Sequence, residues 1–282
     1  MPVHDFILTL ACPDRTGIVY NVSGLLLKHQ GNIIDAQQFG DGETGQFFLR
    51  VHFALPDGVG IEQVKTDFVI LAPQFQMSWQ LHDAQKKARL LVLVSKQGHC
   101  LNDLLYRVHS KQVNADIVGI VSNHQDFAQM AKSYDIPFHH LPVTPETKAA
   151  QEAAILAIAK REEIDLVVLA RYMQILSPEL CAALQGKAIN IHHSFLPSFK
   201  GARPYYQAHA RGVKIIGATA HYVTHDLDEG PIIEQDVQRV DHTMSAQDLT
   251  QVGSDIESRV LSRAVSSHVE HRILLNGSKT VV

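Results

Sequence analysis

The chain reads as an α/β protein of two domains: an N-terminal α+β unit with the order βαββαβ over residues 1–84, and a mostly parallel, doubly wound sheet over residues 85–282. Three observations predict it. Short apolar segments alternate with helical ones through roughly the first eighty residues, a polar stretch runs from His82 to Lys87, and beyond it compact runs of Val, Ile and Leu each precede a helical segment.

In the first unit, strands are expected over 6–11, 32–39, 46–53 and 74–81, and helices over 19–29 and 61–71. Gly40-Asp41-Gly42 and Thr44-Gly45 supply turn residues for the central hairpin. Two helices on one face of a small antiparallel sheet make an α+β sandwich. The polar stretch His82 to Lys87 reads as a linker, which puts the boundary near residue 84. In the second unit, strands over 89–94, 116–121, 166–170, 187–191 and 214–222 are short and rich in β-branched and leucine side chains, as strands buried on both faces are. Helices are expected over 102–109, 126–134, 146–161 and 204–211. Ligands in such folds lie beyond the carboxyl ends of the strands, and Asn190 and His192 sit at one such end.

Composition sets the class. With 282 residues, 45% of them hydrophobic, the chain can bury two cores. A formal charge of −4 carries no basic excess of the kind that binds nucleic acid nonspecifically, so no nucleic-acid partner is expected. Cys12, Cys100 and Cys181 are odd in number, widely spaced and free of any Cys-x-x-Cys pattern, which fits neither a disulfide framework nor a zinc knuckle and suits a reducing compartment. The strictly apolar run from Ala153 to Ala159 is far short of the ~18 residues of a membrane span, and the start of the chain lacks the basic and then apolar regions of an export signal. A cytoplasmic protein without a membrane partner is expected.

Two segments concentrate the chemistry. Asn190-Ile191-His192-His193-Ser194-Phe195-Leu196-Pro197 is followed by His221-Tyr222-Val223-Thr224-His225-Asp226-Leu227-Asp228-Glu229-Gly230. The period-two geometry of an extended segment sends Asn190 and His192 to one side and His193 to the other. A carboxamide, an imidazole and a carboxylate from the acidic turn could then meet one carbonyl, as acyl transfer requires. Bland readings stand beside these. Among 17 histidines an adjacent pair signals little, as His139-His140 shows, and His193 is given a packing role. Adjacent strand residues diverge and no Glu-x-x-His or Cys spacing supports a site, so no metal is expected. Asp226 and Glu229 read as solvated turn acids, with Asp226 the rival to Asp228.

Asn190-Ile191-His192, Ser194-Phe195-Leu196-Pro197, Gly201-Ala202-Arg203-Pro204 and His221 with Asp228 seven residues later resemble the folate-dependent formyltransferase family. The resemblance implies a formyltransferase-like domain acting on 10-formyltetrahydrofolate, with catalytic roles at Asn190, His192 and Asp228. Within that family the nearer likeness is to the formyltetrahydrofolate deformylases, which hydrolyse the formyl group. His193 stands where glycinamide ribonucleotide formyltransferases typically have proline. The loop after the first strand of the second unit, Ser95-Lys96-Gln97-Gly98-His99-Cys100-Leu101-Asn102, retains a single glycine where a phosphate nest needs several.

Cys12-Pro13-Asp14-Arg15-Thr16-Gly17-Ile18 and Gly31-Asn32-Ile33 resemble ACT domains, ferredoxin-like modules that bind amino acids and pair between subunits. That likeness implies a regulatory ligand near Asp14, Gly17 and Asn32, an amino-acid effector and a homo-oligomer. Ala170-Arg171-Tyr172-Met173-Gln174-Ile175-Leu176 resembles the family's folate-binding segment, which carries substrate contacts to Met173, Gln174 and Leu176 and, with the loop before Asp228, to Thr224 and Asp226. Lys200 and Arg203 are loop charges that a folate glutamyl tail would welcome. The resemblance implies 10-formyltetrahydrofolate as substrate, no tightly bound cofactor, and a supply of formate to one-carbon metabolism and purine biosynthesis. A formyltransferase to an amine acceptor and a noncatalytic amino-acid or folate sensor are the competing readings.

Overall fold

The computed structural model describes residues 4–196 and 204–282; Pro197, Lys200 and Arg203 lie outside them. The chain divides into two compact units, one running to Lys87 and regaining Glu270–Val282, the other Ala88–Val269.

The first unit follows the expected order: β1 (His4–Pro13), α1 (Ile18–Lys28), β2 (Asn32–Asp41), β3 (Gln46–Leu55), α2 (Ile61–Phe75) and β4 (Ser78–Asp83). Its antiparallel sheet has the order β2-β3-β1-β4. Ile18, Val22 and Leu26 recur every four residues along α1, and Val64, Phe68, Leu71 and Ala72 share one stripe of α2. Both stripes close over alternate residues of the central strands, among them Leu8, Leu10, Leu49, Val51 and Phe53. In the β2–β3 hairpin the Asp41 carboxylate accepts from the Glu43 amide and the Thr44 hydroxyl, and Gly45 takes φ +65°. The strand expected over 74–81 starts later. Gln74 and Phe75 continue α2, Gln76 ends it in the left-handed region, and β4 begins at Ser78.

The second unit runs β5 (Ala88–Val94), α3 (His99–His109), β6 (Ala115–Ser122), α4 (Ala128–Ser133), β7 (Phe138–His140), α5 (Lys148–Arg161), β8 (Leu166–Leu169), α6 (Pro178–Ala183), β9 (Ala188–His192), α7 (Pro204–Arg211), β10 (Ile215–Tyr222), β11 (Ile232–Arg239) and α8 (Ala246–Val269). The sheet order is β11-β10-β9-β8-β5-β6-β7. Strands β5 to β9 are parallel, as expected for β5, β6, β8 and β9, while β10 and β11 are antiparallel at one edge. Helix α8 escapes a reading by periodicity because its buried face mixes Leu249, Ile256, Val260, Leu261 and Val265 with Gly253, Glu257 and Ser262. A Cβ at Gly253 would lie 2.1 Å from the Tyr205 ring.

The tail departs from the expected 85–282 domain. β12 (Leu274–Asn276) and β13 (Lys279–Val281) form a hairpin belonging to the first unit. The buried Arg50 guanidinium donates to the Glu270 carbonyl at 3.0 and 3.1 Å, and Asn276 donates to Asp41 at 2.7 Å. A cation inside a sheet needs such acceptors, and the segment after α8 supplies one. Among the described residues no helix is long and apolar enough to cross a membrane.

Phe53 is fully buried in β3. Replacing it with Ala should cost about 3–5 kcal/mol, read as a lower urea midpoint at unchanged slope.

Candidate active site

The site forms where β8, β9 and β10 end. Antiparallel pairing of β9 with β10 sets Asn190 opposite His221 and His192 opposite Thr219. The Asn190 side-chain nitrogen lies 3.2 Å from His221 Nε2, and His221 Nδ1 lies 2.8 Å from the Tyr222 carbonyl. A carbonyl only accepts, so Nδ1 carries a hydrogen, and Nε2 accepts from Asn190 whenever it carries none. One amide N–H of Asn190 is thereby used and the other remains for a ligand.

Beyond β10 the chain turns back. Ladder register shifts at Ala220/His221, Thr224 Oγ1 donates to the Asp226 carbonyl at 3.1 Å, and the Tyr222 amide donates to the Pro231 carbonyl at 3.0 Å. Gly230 packs so closely under this loop that a Cβ would fall 1.7 Å from the Tyr222 carbonyl oxygen. Asp228 takes φ +59°, a left-handed conformation that Asp tolerates better than most residues. The result is a carboxylate 3.2 Å from His192 Nδ1 and 3.7 Å from His221 Nε2. Burial alone would raise the Asp228 pKa, but hydrogen bonding to His192 and the adjacent His221 imidazole outweigh it and hold the group below the usual carboxylate range.

His192 is buried, and its Nε2 lies 2.9 Å from Ser194 Oγ. Thr219 and Gln235 hold the segment that follows. Thr219 Oγ1 donates to the Ser194 carbonyl at 3.0 Å and accepts from the Leu196 amide at 3.1 Å, while Gln235 donates to the Leu196 carbonyl at 3.2 Å. His193 does not point away from its neighbour as strand alternation predicts. The strand ends at His192, and the two rings lie 5.2 Å apart. His193 also packs 6.4 Å from the Tyr205 ring, and burial, with help from the Arg171 charge, pushes its pKa down to about 4.

Asn190, His192 and Asp228 all line one pocket of about 290 Å³. Met173, Gln174, Leu176, Thr224 and Asp226 line it too. The exposed Asp226 pairs with His225 at 3.1 Å, so it serves the rim while Asp228 serves the interior. The lining residues that escaped the sequence reading as site residues include His221, His193 and Arg171. The placement of His221 was implicit in its seven-residue offset from Asp228. Arg171 lay unremarked inside the folate-like segment.

A buried polar cluster adjoins the pocket. Glu257 accepts from Tyr205 at 2.6 Å, pairs with His99 at 2.7 Å and lies 3.3 Å from Arg171 Nε. His99, Cys100 and Glu257 hold potential ligand atoms within 4.8 Å of one another. Burial and the Glu257 charge push the Cys100 thiol well up, and a cation there would meet the Arg171 guanidinium beside Glu257.

In the first unit, Asp14 and Gly17 flank the turn between β1 and α1, where the Asp14 amide donates to the Gly45 carbonyl at 2.8 Å and Gly17 takes φ +93°. Asn32 opens β2 opposite Ala54, whereas the far end of that ten-residue strand, Asp41, shares the Gln46 end of β3 with Pro13. The three residues therefore do not gather in one copy of the chain.

A parallel α/β domain with a carboxamide, imidazole and carboxylate at its strand ends defines the formyl-transfer class, and a family model described as "Formyl transferase" matches residues 88–265. The chain is 50% identical over 279 residues to a formyltetrahydrofolate deformylase of Corynebacterium sp. (strain P-1), covering 98% of this chain and 97% of that one. A crystal structure of formyltetrahydrofolate deformylase from Burkholderia mallei superposes with a TM-score of 0.95 at 51% identity over 99% of both chains. Glycinamide ribonucleotide transformylase 1 from Symbiobacterium toebii covers 70% of this chain and 94% of its own, with a TM-score of 0.66 and 28% identity. The chain belongs to the formyltetrahydrofolate deformylase family.

A histidine whose folded pKa sits near 4 resists the proton its unfolded form takes up near 6.5, so the folded state loses stability as the pH falls from about 6.5 to 4 and regains it as the pH rises. Replacing His193 with Asn should flatten that part of a stability-against-pH curve, by at most about 3 kcal/mol.

Proposed function

We propose that this chain hydrolyses 10-formyltetrahydrofolate to tetrahydrofolate and formate through Asn190, His192 and Asp228, with Met173, Gln174, Leu176, Thr224 and Asp226 around the folate. It is an enzyme of the hydrolase class in one-carbon folate metabolism. The observation that supports the residue assignment is the convergence of the three side chains on one pocket at the end of β9.

The chemistry follows from their partners. The free N–H of Asn190 donates to the formyl oxygen as it gains charge. Asp228 holds the Nδ1–H of His192, leaving Nε2 to take a proton from water as the oxygen attacks, with the Ser194 hydroxyl beside it. That proton then goes to the departing folate nitrogen as the carbon–nitrogen bond breaks. Asp228 steadies the imidazolium in between, a role that requires the carboxylate to stay ionised.

The first unit is an ACT-like module, a reading supported by its βαββαβ order and its β2-β3-β1-β4 sheet. Strand β2 is an open edge with exposed Ile33, Ile34 and Phe39, which favours pairing with a second copy. Antiparallel pairing of two β2 strands would bring Asn32 of one copy beside the Asp14 and Gly17 end of the other, a seam for an amino-acid effector. A cytoplasmic setting suits three buried cysteines that form no disulfide among the described residues.

Pure protein given 10-formyltetrahydrofolate and no amine should release formate; strict dependence on an added amine would make it a transferase, and binding without turnover a sensor. Asn190→Ala should lower kcat by about 10²–10³-fold, and Asp228→Asn should lose most activity while circular dichroism shows a folded chain. In light scattering, Ile34→Lys should shift the protein from dimer to monomer; an unchanged mass would rule out the β2 seam.

A further inference from the structure

Arg171 follows directly on the residues of β8 and Ala170, takes φ +62° and is 7% exposed. Its Nε donates to Gln97 Oε1 at 2.9 Å, Nη2 donates to the same oxygen, and Nε faces Glu257 at 3.3 Å. Its Nη1 is buried and has no hydrogen-bond partner among the described residues. Glu257, 1% exposed, is held by Tyr205 and His99 and faces Nε, and it makes no hydrogen bond to Nη1.

A guanidinium is charged at any pH a protein survives, and a buried donor left unpaired costs about 1–3 kcal/mol. A fold keeps such a group where a ligand completes it. Arg171 lines the pocket that holds Asn190, His192 and Asp228, and its charge reaches His193, whose ring lies 5.2 Å from that of His192. The missing partner should be a small acceptor held in that pocket.

We propose that Arg171 Nη1 binds the oxygen that enters as water and leaves in formate, making Arg171 the formate-binding residue of the site. This rests on the hydrolytic reading above. Water oxygen bonds to the formyl carbon, the carbon–nitrogen bond breaks, one water proton ends on the folate nitrogen and the other is released as formic acid ionises. A guanidinium donates to a neutral water with only one of the two partners charged, whereas with a carboxylate both are charged and the bond is the stronger. The donor therefore positions the nucleophile without immobilising it and meets full charge only in the product. Transfer to an amine generates no carboxylate, so this service belongs to hydrolysis alone.

Sodium formate, with sodium chloride at equal ionic strength as control, tests the assignment in the full-length enzyme. Formate should inhibit the native enzyme, and Arg171→Gln should raise the formate inhibition constant at least tenfold. Loss of Arg171 leaves Glu257 short of a cation, so the doubly neutral R171Q/E257Q provides a second variant with the buried charges removed together. R171K, which keeps a cation for Glu257 but not the planar fork, should also weaken formate inhibition. Unchanged formate inhibition in any of these variants that folds, or its absence from the native enzyme, would overturn the assignment. Failure of the hydrolytic reading is separate: the native enzyme would then release no formate without an amine.

Discussion

The antiparallel pairing of β9 with β10 is the constraint on which the site depends. It sets Asn190 across from His221, so the two side chains bond to each other, and the shifted register at Ala220/His221 then redirects the chain into the loop that carries Asp228. That loop returns the Asp228 carboxylate to His192 and His221 within seven residues of His221. Gly230 permits that return, since a side chain there would strike the Tyr222 carbonyl.

Around this pairing, polar side chains do work that a longer secondary structure would otherwise do. Thr219 and Gln235 hold the segment after His192 to β10. Ser95 accepts from the Met173 amide and donates to Asn123, joining the loops after β5, β6 and β8. These bonds fix loop ends whose backbones carry the pocket-lining residues, and rigid support of that kind is what keeps a donor within reach of an oxyanion. The second histidine serves differently: buried and neutral, His193 forms wall rather than acid.

Both kinds of buried charge are managed by converging donors and acceptors. Glu257 stays below its ordinary pKa despite burial because His99, Arg171 and Tyr205 surround it. Arg50 in the first unit meets a carbonyl brought by the tail of the chain, and Asp35 besides. In each case residues far apart in sequence provide the compensation, and that makes these contacts markers of the finished fold.

Local chemistry along the sequence determined much: the βαββαβ order, the parallel strands β5, β6, β8 and β9, and the Asn190, His192 and Asp228 constellation, because apolar periodicity and motif spacing are properties of neighbouring residues. The direction of β10 and β11, the helix α8 with Glu257 on its buried face, and the return of residues 270–282 to the first unit were decided by tertiary packing. So were the turn of His193 toward His192, the pairing of Asn190 with His221, and the meeting of Arg171 with Glu257. Each of these depends on which distant side chain can satisfy a buried donor or fill a space, and that is set only when the strands and helices have come together.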